Sequence, residues 1–294
     1  MVLESLITTK RAERSPWKMF FFGGLYALVG VLLAMWIFGD QASMVLVFLT
    51  AFSCIPLIYH TLKFEEKKDE KMREDYIPSW RTHRKAMYFF TMLFLGFVVV
   101  FSLFAIFMPQ EVVYQKVGQG AYSKGVFSSQ IDTINAINGR TTGAFSSSEV
   151  LVKIILNNIN VLLFAMFFSF FFGAGAIFIL TWNASVISAA IGTFARNRLA
   201  EAAGAVGAPG LAHYFSALSL GFFRFMTHGI FEIVAYFIGG LAGGIISVAI
   251  IRHEIGSPEF KKVLKDAMYL FAVALGFILV GAFVEVFITP ALIG

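Results

Sequence analysis

"VLVKIILNNINVLLFAMFFSFFFGAGAIFILTWNASVISAAIGTFA", residues 150–195, carries one charged side chain, Lys153. A helix needs about 20 apolar residues to cross the hydrocarbon core of a bilayer. This run is too long for one crossing and suits two. The place to turn is "FFFGAGA", 170–176, where Gly173 and Gly175 act as the hinge, because glycine adopts bends that side chains resist. The reading is one span over about 150–172 and another over about 176–195.

The same pattern continues on both sides. The chain has 294 residues, 58% of them hydrophobic and 14% charged. Soluble domains carry roughly 25% charged residues. The fold class is therefore all-α, a polytopic transmembrane helix bundle. Further spans fall at about 17–38, 42–62, 86–108, 229–251 and 267–289. Residues 196–228 are ambiguous: "ARNRLAEAAGAVGAPG" (195–210) reads as a polar, small-residue loop, and "LAHYFSALSLGFFRFMTH" (211–228) is apolar but short and carries His213, Arg224 and His228. It is read as a re-entrant or interfacial helix, which gives about seven crossings; eight is the alternative.

Charge sets the orientation. The net charge is +5, and the basic residues flank spans instead of forming a patch. That distribution follows the positive-inside rule and argues against nucleic acid as a partner. Lys10, Arg11, Arg14 and Lys18 place the N-terminus in the cytoplasm, and the chain is expected in the cell membrane as a multi-pass protein. Three regions follow. Residues 1–85 form a two-span hairpin with a charged extension, "KFEEKKDEKMREDYIPSWRTHRK" (63–85), whose mixed charges at helical spacing predict salt-bridged helices beyond the bilayer. Residues 86–149 add a third span and a polar extracytoplasmic segment, expected as short amphipathic helices and loops capping the bundle. Residues 150–294 form the membrane core.

Polar groups inside spans are the candidate site. Arg224, His228 and Glu232 recur every four residues, which sets them along one helix stripe if the helix runs through Gly229. The stripe continues to Gly239, Gly240, Gly243 and Gly244. Small residues let a neighbouring helix approach, so the glutamate points into a helix contact and not at lipid. Packing within one subunit is favoured over a dimer seam. A buried acid needs a partner, a proton or a water-filled cavity, and two uses compete: a coupling site for protons or ions, or a structural staple. Glu285 is a second acid within a span and either reaches the interface or joins the cluster. Asn158 and Asn183 want partners in lipid. The one cysteine, Cys54, falls in a span, so there is no disulfide framework.

HExxH, GxSxG, Walker A and dinucleotide-binding patterns are missing. The chain is expected not to be an enzyme and to use no cofactor and no metal. A metal shared by His228, Glu232 and His213 is the disfavoured reading.

Two motifs carry a resemblance. "NNINVLLFAMFFSFFFGAGAIFILTWNASVISAAIG" (157–192) and "HGIFEIVAYFIGGLAGG" (228–244) resemble the stage II sporulation protein M family, most of all its archaeal membrane proteins. The family pattern maps onto Asn158, Gly173, Gly175, Asn183, Gly192, His228, Gly229 and Glu232, with Thr227 where proline is usual. The similar stretch covers roughly 127–255. The resemblance implies a membrane fold family and not a function; the namesake in sporulating bacteria is a scaffold that localises peptidoglycan hydrolases, and that tips the reading toward a scaffold. The expected function is thus an integral membrane scaffold binding partners through its extracytoplasmic segment, with an ion- or proton-coupled transporter or channel component as the alternative. Expected partners are the lipid bilayer, membrane or extracytoplasmic proteins, and a second copy of the chain.

Overall fold

The computed structural model describes residues 17–70, 80–117, 121–141, 147–172 and 175–293. The basic N-terminal residues 1–16 and the hinge residue Gly173 lie outside them. Helix α1 (Lys18–Phe38) leads through a 3-10 turn (Gly39–Gln41) into α2 (Ala42–Glu70). Gly30 of α1 lies against Thr50 of α2, so the two fold back as an antiparallel hairpin. A second 3-10 turn, Trp80–His83, opens α3 (Arg84–Phe107). There follow α4 (Gln110–Val113), an antiparallel ribbon of β1 (Gln115–Val117) and β2 (Ala121–Lys124), and α5 (Ser128–Thr141). The membrane core is α6 (Ser147–Phe172), α7 (Ala176–Val206), α8 (Leu211–Arg252) and α9 (Pro258–Phe283). A π-turn, Val284–Ile288, and α10 (Thr289–Ile293) end the described chain.

Among the described residues, six helical stretches are long and apolar enough to cross a membrane. The first, Lys18–Asp69, contains both α1 and α2. The block at 150–195 does divide into two helices, α6 and α7. Gly175 sits at the N-cap of α7, and a Cβ there would strike the Phe168 backbone. The turn between α6 and α7 is that tight.

Two expectations need correcting. Residues 196–206 do not form a loop; "RNRLAEAAGAV" extends α7, as its Ala, Leu, Arg and Glu content favours. Gly207, at φ +82°, ends that helix, and Pro209 follows. Nor is 211–228 a separate re-entrant or interfacial piece. It is the first part of α8, which runs unbroken for 42 residues. Thr227 is the physical reason: it keeps the N–H that proline would remove, and its hydroxyl folds back onto the Phe223 carbonyl at 2.5 Å.

Helix α8 is the central column. Gly239 and Gly243 face α6 at Leu162 and Met166, Gly240 faces Ala176 of α7, and Gly244 faces Leu62 of α2. Each glycine meets a different part of the same molecule, so these close approaches lie within one chain. The polar segment is seated on the other end of the bundle. Phe127 is fully buried and stacks edge-on against Phe101 of α3. Gln130 donates to the Ser43 carbonyl at 2.9 Å and to the Ser185 hydroxyl at 3.1 Å. The β-ribbon was not foreseen; Gly125, at φ +115°, closes it, where a Cβ would fall 2.6 Å from Tyr114 Cα.

The opposite end is tied by charge. His83, fully buried, holds Glu65 through Nδ1 at 2.7 Å and Asp266 through Nε2 at 2.7 Å. Glu66 pairs with Arg252 and accepts from His253 at 2.8 Å. These contacts join α2, α3, α8 and α9 where their apolar runs give way to charged residues. Local signals place α9: the Ser257 hydroxyl caps it by accepting from Phe260 N–H, with Pro258 at the first helical position.

Candidate functional site

Three helices build a polar pocket inside the bundle. Helix α6 supplies Asn158, α8 supplies Glu232 and Tyr236, and the π-turn supplies Glu285. Asn158 Nδ2 donates to Glu232 Oε1 at 2.5 Å, and the Tyr236 hydroxyl donates to Asn158 Oδ1 at 3.0 Å. Both polar atoms of one amide are thereby used. Glu285 lines the same cavity as Glu232 and brings a second acid to it. The cavity they line holds about 240 Å³, with Asn157 and Asn183 also on its wall.

Depth follows from helix rise. Gly281 of α9 packs against Glu232, and Asp266 of the charged end lies 15 residues before it. At about 1.5 Å per residue that is roughly 22 Å along the axis. Arg252 of the same end lies 20 residues after Glu232 along α8, roughly 30 Å away, so Glu232 lies toward the side of a hydrocarbon core about 30 Å thick that is opposite the charged end.

The π-turn has a local cause. Pro290 cannot donate a backbone hydrogen bond to Val286, so the ladder loosens. The Thr289 hydroxyl instead reaches the Val284 carbonyl at 3.1 Å. Such wide turns recur at functional sites, and this one carries Glu285.

The six polar residues singled out from the sequence thus divide. Asn158 and Glu232 are hydrogen-bonded, and Glu285 lines the same cavity. Asn183 borders the same cavity, but its amide donates to the Ile179 carbonyl at 2.7 Å, within its own helix. His228 meets Thr289 at 3.4 Å. Arg224 stays outside: its exposed guanidinium lies over the Phe194 ring at 5.4 Å, within cation–π reach. Helix geometry explains the division. Steps of four residues overshoot a turn by about 40°, so Arg224 and Glu232 differ by about 80° around α8. Tyr236, which the stripe meets next after Glu232, belongs to the network as well. Its position one step beyond Glu232 on the same face was the available signal.

The network makes a prediction. Glutamine at 232 can accept from Asn158 and keep that bond. Leucine cannot, and it leaves the buried Asn158 amide N–H unpaired, a cost of about 1–3 kcal/mol. Glu232→Leu should melt distinctly below wild type in detergent and Glu232→Gln close to it. Equal melting of the two variants would remove the network from any structural role.

The comparison with known proteins covers both motifs and more. The family model described as Stage II sporulation protein M matches residues 86–290, which takes in α3 to the π-turn and leaves out α1 and α2. No curated protein and no solved structure matches the chain. The match extends well beyond the stretch 127–255 that carries the visible motifs, through the polar segment and the last long helix. With most of its length and the cavity of Asn158, Glu232 and Glu285 inside that match, this multi-pass membrane protein belongs to the stage II sporulation protein M family.

Proposed function

We propose that the chain is a non-enzymatic membrane scaffold, with its N-terminus cytoplasmic, that holds partner proteins on the extracytoplasmic segment 109–149. One observation carries the reading: that segment is anchored to the bundle. Phe127 is buried against α3, and Gln130 is bonded to α2 and α7. A platform fixed to the helices gives a bound partner a defined position over the membrane. Its polar outer residues, Gln110, Glu111 and Gln115 among them, face water. The unbroken course of α8 supports the same reading, since transporters build substrate sites from interrupted helices.

The polar cavity favours a second reading, coupled ion or proton movement through Glu232 and Glu285, which the same test addresses. Tyr114 and Gly125 are neighbours, so residues 115–124 can be excised and the gap closed by a short turn. In native membranes, photocrosslinking from Glu111 should give a discrete protein adduct that the excision removes. In liposomes neither wild type nor Glu232→Gln should pass protons or ions. Flux that Glu232→Gln abolishes would replace the scaffold with the transport reading.

A further inference from the structure

We propose that Asp69, His83 and Asp266 form a binding site for one divalent transition-metal ion, best matched by zinc, with Glu65 orienting the imidazole. The site lies at the charged end, remote from the cavity around Glu232. It departs from the expectation, drawn from motifs alone, that the chain uses no metal.

The ligand atoms converge. One atom each from Asp69, His83 and Asp266 lies within 4.8 Å of the others, and all three residues are buried. His83 Nε2 stands 3.4 Å from Asp69 Oδ1 and 2.7 Å from Asp266 Oδ2. A tetrahedral zinc site with bonds of about 2.0–2.1 Å has ligand–ligand edges of about 3.3 Å. The Asp69 edge already has that length. The Asp266 edge is a hydrogen bond in the metal-free arrangement and would open by roughly half an ångström.

Two further observations point to a ligand. Asp69 is fully buried, and neither of its carboxylate oxygens has a hydrogen-bond partner among the described residues; Asp266 Oδ1 is in the same condition. A buried polar atom without a partner is uncommon enough to need a reason. Glu65 is on the other side of the ring, bonded to Nδ1 at 2.7 Å. That is the second-shell arrangement of metal-binding histidines: a carboxylate takes the Nδ1 proton and turns the Nε2 lone pair toward the ion. With Glu65 paired to Lys68, Asp69 and Asp266 around one imidazole still leave net negative charge even when the ring is protonated, and a divalent ion balances it. One nitrogen with carboxylate oxygens suits zinc, cobalt or manganese better than magnesium or calcium, which prefer oxygen alone.

The placement has a consequence. Asp69 and His83 precede residue 86, where the family match begins, and Asp266 lies within it. A metal here would clamp the added α1–α2 hairpin onto the family core. In sequence the ligands adjoin Lys68, Arg84, Lys85 and Lys265, at the ends of the apolar runs, so the ion would arrive from water and not through lipid.

The test uses the full, tag-free chain in detergent, stripped with a chelator and titrated with Zn²⁺, with Co²⁺ as a spectroscopic probe. Expected are one Zn²⁺ per chain and the intense visible bands of four-coordinate Co²⁺. Asp69→Asn and Asp266→Asn should weaken binding at least about 10-fold, as loss of a supporting group alone does. Glu66→Gln, which touches Arg252 and His253 instead, should bind as wild type. No uptake by monodisperse wild-type protein overturns the site and leaves a histidine–carboxylate staple. Equal uptake by all variants overturns it as well, because the ion is then adventitious. Where a variant fails to fold, the wild-type stoichiometry and Co²⁺ spectrum decide alone.

Discussion

His83→Leu should lower the stability of the folded chain by about 3–5 kcal/mol, the cost of removing one partner from a buried ion pair. The leucine would fill much of the ring's volume, so packing is not the main loss. What remains is Glu65, Asp69 and Asp266 facing one another with no imidazole between them, all buried. Lys68 still reaches Glu65, but Asp69 and Asp266 lose their contact with the ring. Like charges in a low-dielectric interior repel strongly, and helices α2, α3 and α9 are drawn together at this point. The chain supplies its own reporter. Cys54 is the single cysteine and is buried, so a thiol-reactive dye detects unfolding as it becomes exposed. The mechanism can be separated from simple damage by adding Asp69→Asn and Asp266→Asn to His83→Leu. Neutralising the acids should recover a good part of the lost melting temperature. A triple variant no better than His83→Leu would mean that the ring's shape, not its charge, holds this end together.

The sequence carried the bundle well and its polar centres only in part. Helices over 42–62, 86–108, 150–172 and 267–289 are legible because each is an uninterrupted apolar run of membrane length bounded by charge, proline or glycine. The extent of α7 and α8 was not legible. Both helices continue through small and polar residues, where hydropathy falls but helix propensity does not. The stripe of Arg224, His228 and Glu232 misled because spacing along one helix says nothing about which neighbour each residue meets. Glu232 is bonded to Asn158 and shares its cavity with Glu285, residues on two other elements. The charged end was read as salt-bridged helices, which captured Glu65 with Lys68. It missed His83 meeting Asp266, a contact between residues 183 positions apart. Glu65 and Asp69, four residues apart on α2, were the visible half of that cluster. The other half depends on how α9 docks, which no local pattern states.

Glycine 243 should prove the least replaceable position on α8. A Cβ built there falls on the carbonyl of Met166, a backbone atom of α6 that no rotamer change can move. Gly243→Ala therefore forces the two helix axes apart, and overpacking of this kind costs about 1–3 kcal/mol. Gly243→Leu adds a branched side chain to the same gap and should prevent a monodisperse bundle. Separation of α6 from α8 would also pull Asn158 off Glu232 and Tyr236, since those bonds span the same pair of helices. Two other glycines of α8 calibrate the effect. At Gly244 the nearest atoms are the Leu62 methyls, at 2.6 and 2.8 Å, and a side-chain end can swing away, so Gly244→Ala should cost less. At Gly229 nothing lies within 4 Å, so Gly229→Ala should be neutral or stabilise the helix by up to about 1 kcal/mol through lost chain freedom in the unfolded state. Melting of the three alanine variants, followed through Cys54, should rank Gly243 below Gly244 and Gly244 below Gly229. Equal tolerance at all three would mean that α6 and α8 are not held at backbone contact. The glycine face would then be free to meet another helix, and the argument that these residues serve packing within one chain would fall with it.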